Sequence, residues 1–91
     1  MNVYLNDTPI SVKEYNEEND KGKQSIAIRF DVTSEDYHEL TMLLYKAVFD
    51  IEVPERNTAF RGEIQQYAAS ITNLYEPGQT GEFFVRLQEV I

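Results

Sequence analysis

Cysteine and tryptophan are absent from this 91-residue chain, and it has a single histidine, three prolines and four glycines. Without cysteine there is no disulfide, no thiolate metal site and no cysteine nucleophile. One histidine cannot build a transition-metal site, which draws on several His or Cys ligands, so no metal and no cofactor is expected. Basic residues are also scarce: eight Lys and Arg stand against sixteen Asp and Glu, a net charge of −8. Phosphate backbones and anionic bilayers are held by clustered cations, so neither nucleic acid nor membrane is an expected partner. The N-terminus, MNVYLND, has no basic region followed by an apolar block and does not read as an export signal. The longest apolar-rich run, Leu40 to Phe49, contains Lys46 and is too short to cross a bilayer. The expectation is a cytoplasmic protein.

What is present is enough for one core. The chain is 42% hydrophobic, with six tyrosines and five phenylalanines supplying the bulk. That composition argues against disorder, and the length allows one domain, residues 1–91. The clearest local signal runs from Gln24 to Val32. Ile26, Ile28, Phe30 and Val32 alternate with Ser25, Ala27, Arg29 and Asp31, the period of a strand with one face on a core. At Thr33 the period changes to about 3.6, and Thr33 with Asp36 resembles a capping box. Tyr37, Leu40, Leu44, Ala47 and Val48 form the core face of a helix expected over 34–48.

Upstream, Val3 to Leu5, the turn pair Asn6-Asp7 and Ile10 to Tyr15 predict a hairpin over residues 2–15. Asn6-Asp7-Thr8 also matches the N-glycosylation triplet, but without an export signal the turn reading is preferred. The polar stretch 16–23 (NEENDKGK) reads as a loop, and its acids lack the spacing of a calcium loop. Downstream, Ile51-Glu52-Val53-Pro54 looks extended. Between 57 and 75, Phe60, Gly62 and Ile64 share one parity, whereas Tyr67, Ala69 and Ile71 share the other. No uninterrupted strand buries both sets. One extra residue near Gln65-Gln66, a β-bulge, restores the register. Glu76-Pro77-Gly78-Gln79 fits a type II turn, and 81–90 reads as a last strand with Phe83, Val85 and Leu87 inward. The sum is an α+β domain: a strongly bent antiparallel sheet of about five to seven strands, with the helix packed across one face.

Four words in the chain resemble a known family: VTSEDYH at 32–38, FDIEVPER at 49–56, AFRGE at 59–63 and ITNLYEPG at 71–78. Together they look like the YkvR-like family, small bacillus-type proteins carrying a domain of unknown function, over roughly residues 24–90. The resemblance implies a bacterial cytoplasmic protein and brings with it no activity, ligand or catalytic residue.

No residue set amounts to an active site. Ser34, Ser70 and Thr72 lie in no strand-turn-helix elbow, and there is neither a phosphate loop nor a dinucleotide fingerprint. Glu52, Glu55, Arg56, Arg61 and Glu63 read as a surface ion-pair network. His38 does stand out by its company. On a helix turning 100° per residue, His38, Met42, Tyr45 and Phe49 gather away from the Leu40–Leu44 face. Such a stripe packs beneath the N-terminal hairpin or the 51–58 segment, or scatters in solvent, or serves a protein partner or a second copy. Two function classes follow: a non-enzymatic protein-binding module using that stripe, or a ligand binder or enzyme with a pocket between helix and sheet lined by Tyr37, Phe60 and Tyr67. A third possibility is a piece of a larger assembly, with 50–53 or 81–90 as an open edge strand.

Overall fold

A computed structural model describes residues 1–70 and 80–90. Seven strands form one antiparallel sheet: β1 (Asn2–Leu5), β2 (Thr8–Ser11), β3 (Glu14–Asp20), β4 (Lys23–Thr33), β5 (Val48–Val53), β6 (Thr58–Ser70) and β7 (Thr80–Glu89). Their order across the sheet is β2-β1-β5-β6-β7-β4-β3. One α-helix, α1 (Tyr37–Leu44), links β4 to β5, and a 3₁₀ turn, Pro54–Arg56, links β5 to β6. The fold is α+β, as the change of period at Thr33 implies.

The alternating positions become the inner face. Ile26, Ile28, Phe30 and Val32 on β4 meet Phe83, Val85 and Leu87 on β7, and all are at most 2% exposed. Phe49, Ile51 and Val53 on β5 and Val3 and Leu5 on β1 extend the same layer. Each such side chain contributes about 1.5–3 kcal/mol on leaving water. The expected bulge is present: the β6–β7 register shifts between Ile64 and Gln66. Before it, Phe60, Gly62 and Ile64 pair with inward residues; after it, Tyr67 faces Val85 and Ala69 faces Phe83. The strand also changes its company here, pairing with β5 up to Glu63 and with β7 from Gly62 onward. Gly62 marks a close approach: a Cβ there would stand 2.7 Å from Ile51 Cδ1 and 3.2 Å from the Gln88 carbonyl, so its neighbours would have to give way.

Three expectations are corrected. The stretch 16–23 is no loop: Glu14–Asp20 pairs along β4, and a two-residue turn with positive φ at Lys21 and Gly22 closes that hairpin. The N-terminal hairpin therefore ends at Ser11, around a turn with positive φ at both Asn6 and Asp7. The helix is shorter than 34–48. Thr33 does engage Asp36, accepting its N–H at 3.3 Å and donating to its Oδ2 at 3.2 Å, but this fastens a turn ahead of the helix. At the other end Ala47 takes a left-handed φ of 65° and the chain becomes β5. Thirdly, 50–53 and 81–90 are interior strands, and the edges are β2 and β3. The turn expected at 76–79 and the part of the 57–75 stretch beyond Ser70 fall outside the described residues.

The two edge strands are neighbours in sequence. Only Val12 and Lys13 separate Ser11 from Glu14, so opposite borders of a seven-strand order are joined by a span of roughly 10 Å at most. Helix α1 lies on the core near this corner, with Leu44 buried and Tyr37, Leu40 and Leu43 packed partly against the inner face. Eight residues do not hold a helix in water unaided, so this packing stabilises it.

Candidate functional site

Helix α1 carries three kinds of surface. Leu44 is buried, and the Tyr37 ring meets the Phe83 ring edge-on at 6.0 Å. On the far side His38 is exposed, with Met42 at 58% and Tyr45 at 85% exposure. Neither the N-terminal hairpin nor the 51–58 segment covers this side. Phe49 does not belong to it. It sits on β5, 1% exposed, and is a core residue. Its spacing of four from Tyr45 imitates a helical neighbour, but the turn at Ala47 intervenes. The stripe therefore consists of His38, Met42 and Tyr45.

Of the three residues expected to line a pocket, Tyr37 and Tyr67 come together around Phe83, whereas Phe60 stands apart. Tyr37 and Tyr67 both stack edge-on against Phe83, at 6.0 and 5.6 Å, and partial burial followed by the neighbouring Tyr37 pushes the Tyr67 phenol up. Phe60 stands toward the other end of β6, opposite Ile51. A half-open groove of about 460 Å³ lies elsewhere, between β2 and α1. Ile10, Phe30, Leu40 and Leu43 line it together with Asp31, Asp36 and Glu39. The sequence gives little sign of this groove, because β2, β4 and α1 meet only in three dimensions. The nearest signal is Pro9, which suits an edge strand.

Two polar clusters tie the sheet together. At the first, Glu17 on β3 accepts from Arg56 Nε and Nη2, both at 3.3 Å, and from the Tyr15 hydroxyl at 2.7 Å. The Arg56 bonds, then the Tyr15 bond, hold the Glu17 carboxyl below its usual range. Burial, reinforced by Glu17, pushes the Tyr15 phenol up. Arg56 is thus engaged by Glu17. At the second, Lys13 reaches both Glu82 and Asp31, the latter at 2.9 Å. Arg29 contacts Glu14 at 3.0 Å and Glu82 at 3.1 Å while its guanidinium lies 4.9 Å from the Phe84 ring centre. Lys13, foremost, depresses the Glu82 carboxyl. The expected network around Arg61 reduces to one pair with Asp50 at 3.3 Å. These exposed pairs join neighbouring strands and loops.

Among the described residues no three His, Asp or Glu side chains gather as a metal site, and no helix is long and apolar enough to cross a membrane. Chemically, then, the arrangement offers surfaces: an apolar-aromatic stripe on one side of α1 and an acid-lined groove on the other.

Comparison with known proteins agrees with the four words noted in the sequence. The family model described as "Protein of unknown function (DUF3219)" matches residues 2–91. The chain is 46% identical over 86 residues to the uncharacterized protein YkvR of Bacillus subtilis (strain 168), covering 94% of this chain and 88% of that protein. The NMR solution structure of YkvR from Bacillus subtilis superposes with a TM-score of 0.63 at 45% identity, covering 98% of this chain and 84% of that one. The groove, the stripe and the strand order described above thus belong to a member of the YkvR-like DUF3219 family, a family whose function is unknown.

Proposed function

We propose that this protein acts by binding and not by catalysis, as a small acidic cytoplasmic module that engages a protein partner or a second copy of itself. The observation carrying this reading is the exposure of Met42 and Tyr45 on a helix whose opposite side is committed to the core. Tyr and Met are enriched where proteins meet, and a surface helix with no such role carries charge there. The strongly bent sheet that we read from the joined edges would act as a rigid support for that helix. A net charge of −8 argues against nucleic acid and anionic membranes as partners.

The test compares the wild-type chain with the double variant Met42→Ser/Tyr45→Ser. Sedimentation over a wide concentration range reads self-association, and affinity capture from native lysate with both baits reads a foreign partner. An assembly or partner held by the wild type and lost by the variant supports the stripe. Identical behaviour of the two baits sinks it. A second reading, a ligand held between helix and sheet, is favoured by the groove beside β2, at residues other than the tyrosines first expected.

A further inference from the structure

The groove lies on the other flank of α1 from the stripe, and its chemistry is one-sided. Its first wall is the free edge of β2. Leu5 and Thr8 close the hairpin, so Thr8 and Ile10 direct their backbone groups to β1 while Pro9 and Ser11 direct theirs away. The Val12 N–H donating to the Met1 carbonyl at 2.9 Å continues the same alternation. Pro9 has no N–H, so this edge offers the carbonyls of Pro9 and Ser11 and a single donor, the Ser11 amide. The remaining polar groups around the groove include three carboxylates: Asp31 from β4, Asp36 at the N-cap of α1 and Glu39 from its first turn. Asp31 is already engaged by Lys13 and one Asp36 oxygen by the Thr33 hydroxyl, while Glu39 is exposed. Between the walls run Ile10, Phe30, Leu40 and Leu43, of which Leu40 and Leu43 are only half-buried.

An anion or an acidic peptide meets acceptors and negative charge here. A ligand with spare donors, positive charge and alternate apolar side chains meets complementary groups on each surface. We propose that this groove takes an extended peptide segment in which Lys or Arg alternates with apolar residues. Its apolar side chains rest on Leu40 and Leu43. Its cations face Glu39, Asp36 and Asp31, and its backbone donors reach the β2 carbonyls. A volume of about 460 Å³ lies within the range of sites that hold short peptides and small ligands. This binding is separate from the stripe and does not require it.

The test titrates the full ¹⁵N-labelled chain with three blocked peptides: Lys-Leu-Lys-Leu-Lys, Lys-Gly-Lys-Gly-Lys and Glu-Leu-Glu-Leu-Glu. Saturable shifts of the Ile10, Ser11, Leu40 and Leu43 amides are expected with the first peptide alone. Glu39→Lys, an exposed change that leaves the core untouched, should weaken binding about tenfold, and Asp31→Asn should weaken it less. The Met42→Ser/Tyr45→Ser variant should bind the peptide as the wild type does, which separates this result from the fate of the stripe. The proposal is overturned by an absence of saturable shifts or by an equal response to the Lys-Gly peptide. Shifts centred on Glu14 and Glu18 of β3, or full affinity in Glu39→Lys, also overturn it.

Discussion

The β1–β2 hairpin and the β3–β4 hairpin turn alike, each through two residues of positive φ, and each supplies one border of the same sheet. Beyond the turn they part. The first presses Val3, Leu5 and Ile10 into the core and leaves an edge interrupted by Pro9. The second presents EYNEEND, whose Glu17 is held by Arg56 and by the Tyr15 hydroxyl, and whose Glu14 and Glu18 pair with Arg29 and Arg86. Unpaired strand borders invite other chains, and proline and charge are two remedies for that hazard. One border is anchored by burial and protected by a missing donor. The other is anchored by ion pairs and protected by repulsion.

Substitutions should separate the two modes of anchoring. The largest effect is expected for Leu5→Ala, which empties a fully buried position and should cost about 2–5 kcal/mol in urea unfolding. Its cost should be insensitive to salt and to pH between 4 and 8. Glu17→Gln should cost about 1 kcal/mol or less, since exposed pairs stabilise weakly. Its cost should shrink with added salt and fall on hydrogen exchange of β3 before that of β7. A loss for Glu17→Gln as large as for Leu5→Ala would show that the second border also rests on burial.

Acid should distinguish them further. The folded Glu17 carboxyl is depressed by Arg56 and then by Tyr15, and that of Glu82 chiefly by Lys13. A depressed carboxyl stabilises fully above its unfolded value, about 4.3, and that stabilisation is lost as pH falls through the lower folded value. Thermal unfolding followed from pH 7 to pH 2.5 should therefore show a drop beginning near pH 4, smaller in Glu17→Gln. The smallest change in stability, within about 0.5 kcal/mol, is expected for Pro9→Val. That variant restores a donor to the β2 border, and light scattering should show its apparent mass rising with concentration. A mass unchanged across the range would mean that the border is protected by something other than the missing N–H.

Much of this architecture can be read from periodicity. Ile26 to Val32 and Phe83 to Leu87 alternate cleanly because one face of each strand is dry, and the parity clash between Ile64 and Tyr67 locates the bulge. Strand β3 escapes such reading because Glu17, paired opposite Ile26, is charged and exposed, and its partner Arg56 is far away in sequence. The early end of α1 escapes it too. No glycine marks the left-handed turn, which Ala47 adopts instead, and Phe49 continues a helical spacing into a strand. Of the candidate site, the off-core position of Met42 and Tyr45 is legible. The groove is not, since each wall comes from a different part of the chain.

The two-residue joint between Ser11 and Glu14 has a kinetic consequence. Four of the six strand pairings join consecutive strands, but the first hairpin must still dock on β5, and β4 must find β7 across a long stretch of chain, Ile28 meeting Val85. Closing those long loops comes before most of the reward, which places such topologies among millisecond-to-second folders. Refolding should therefore be limited by the meeting of Ile28 with Val85, and the amino-terminal ribbon should take its place after that encounter.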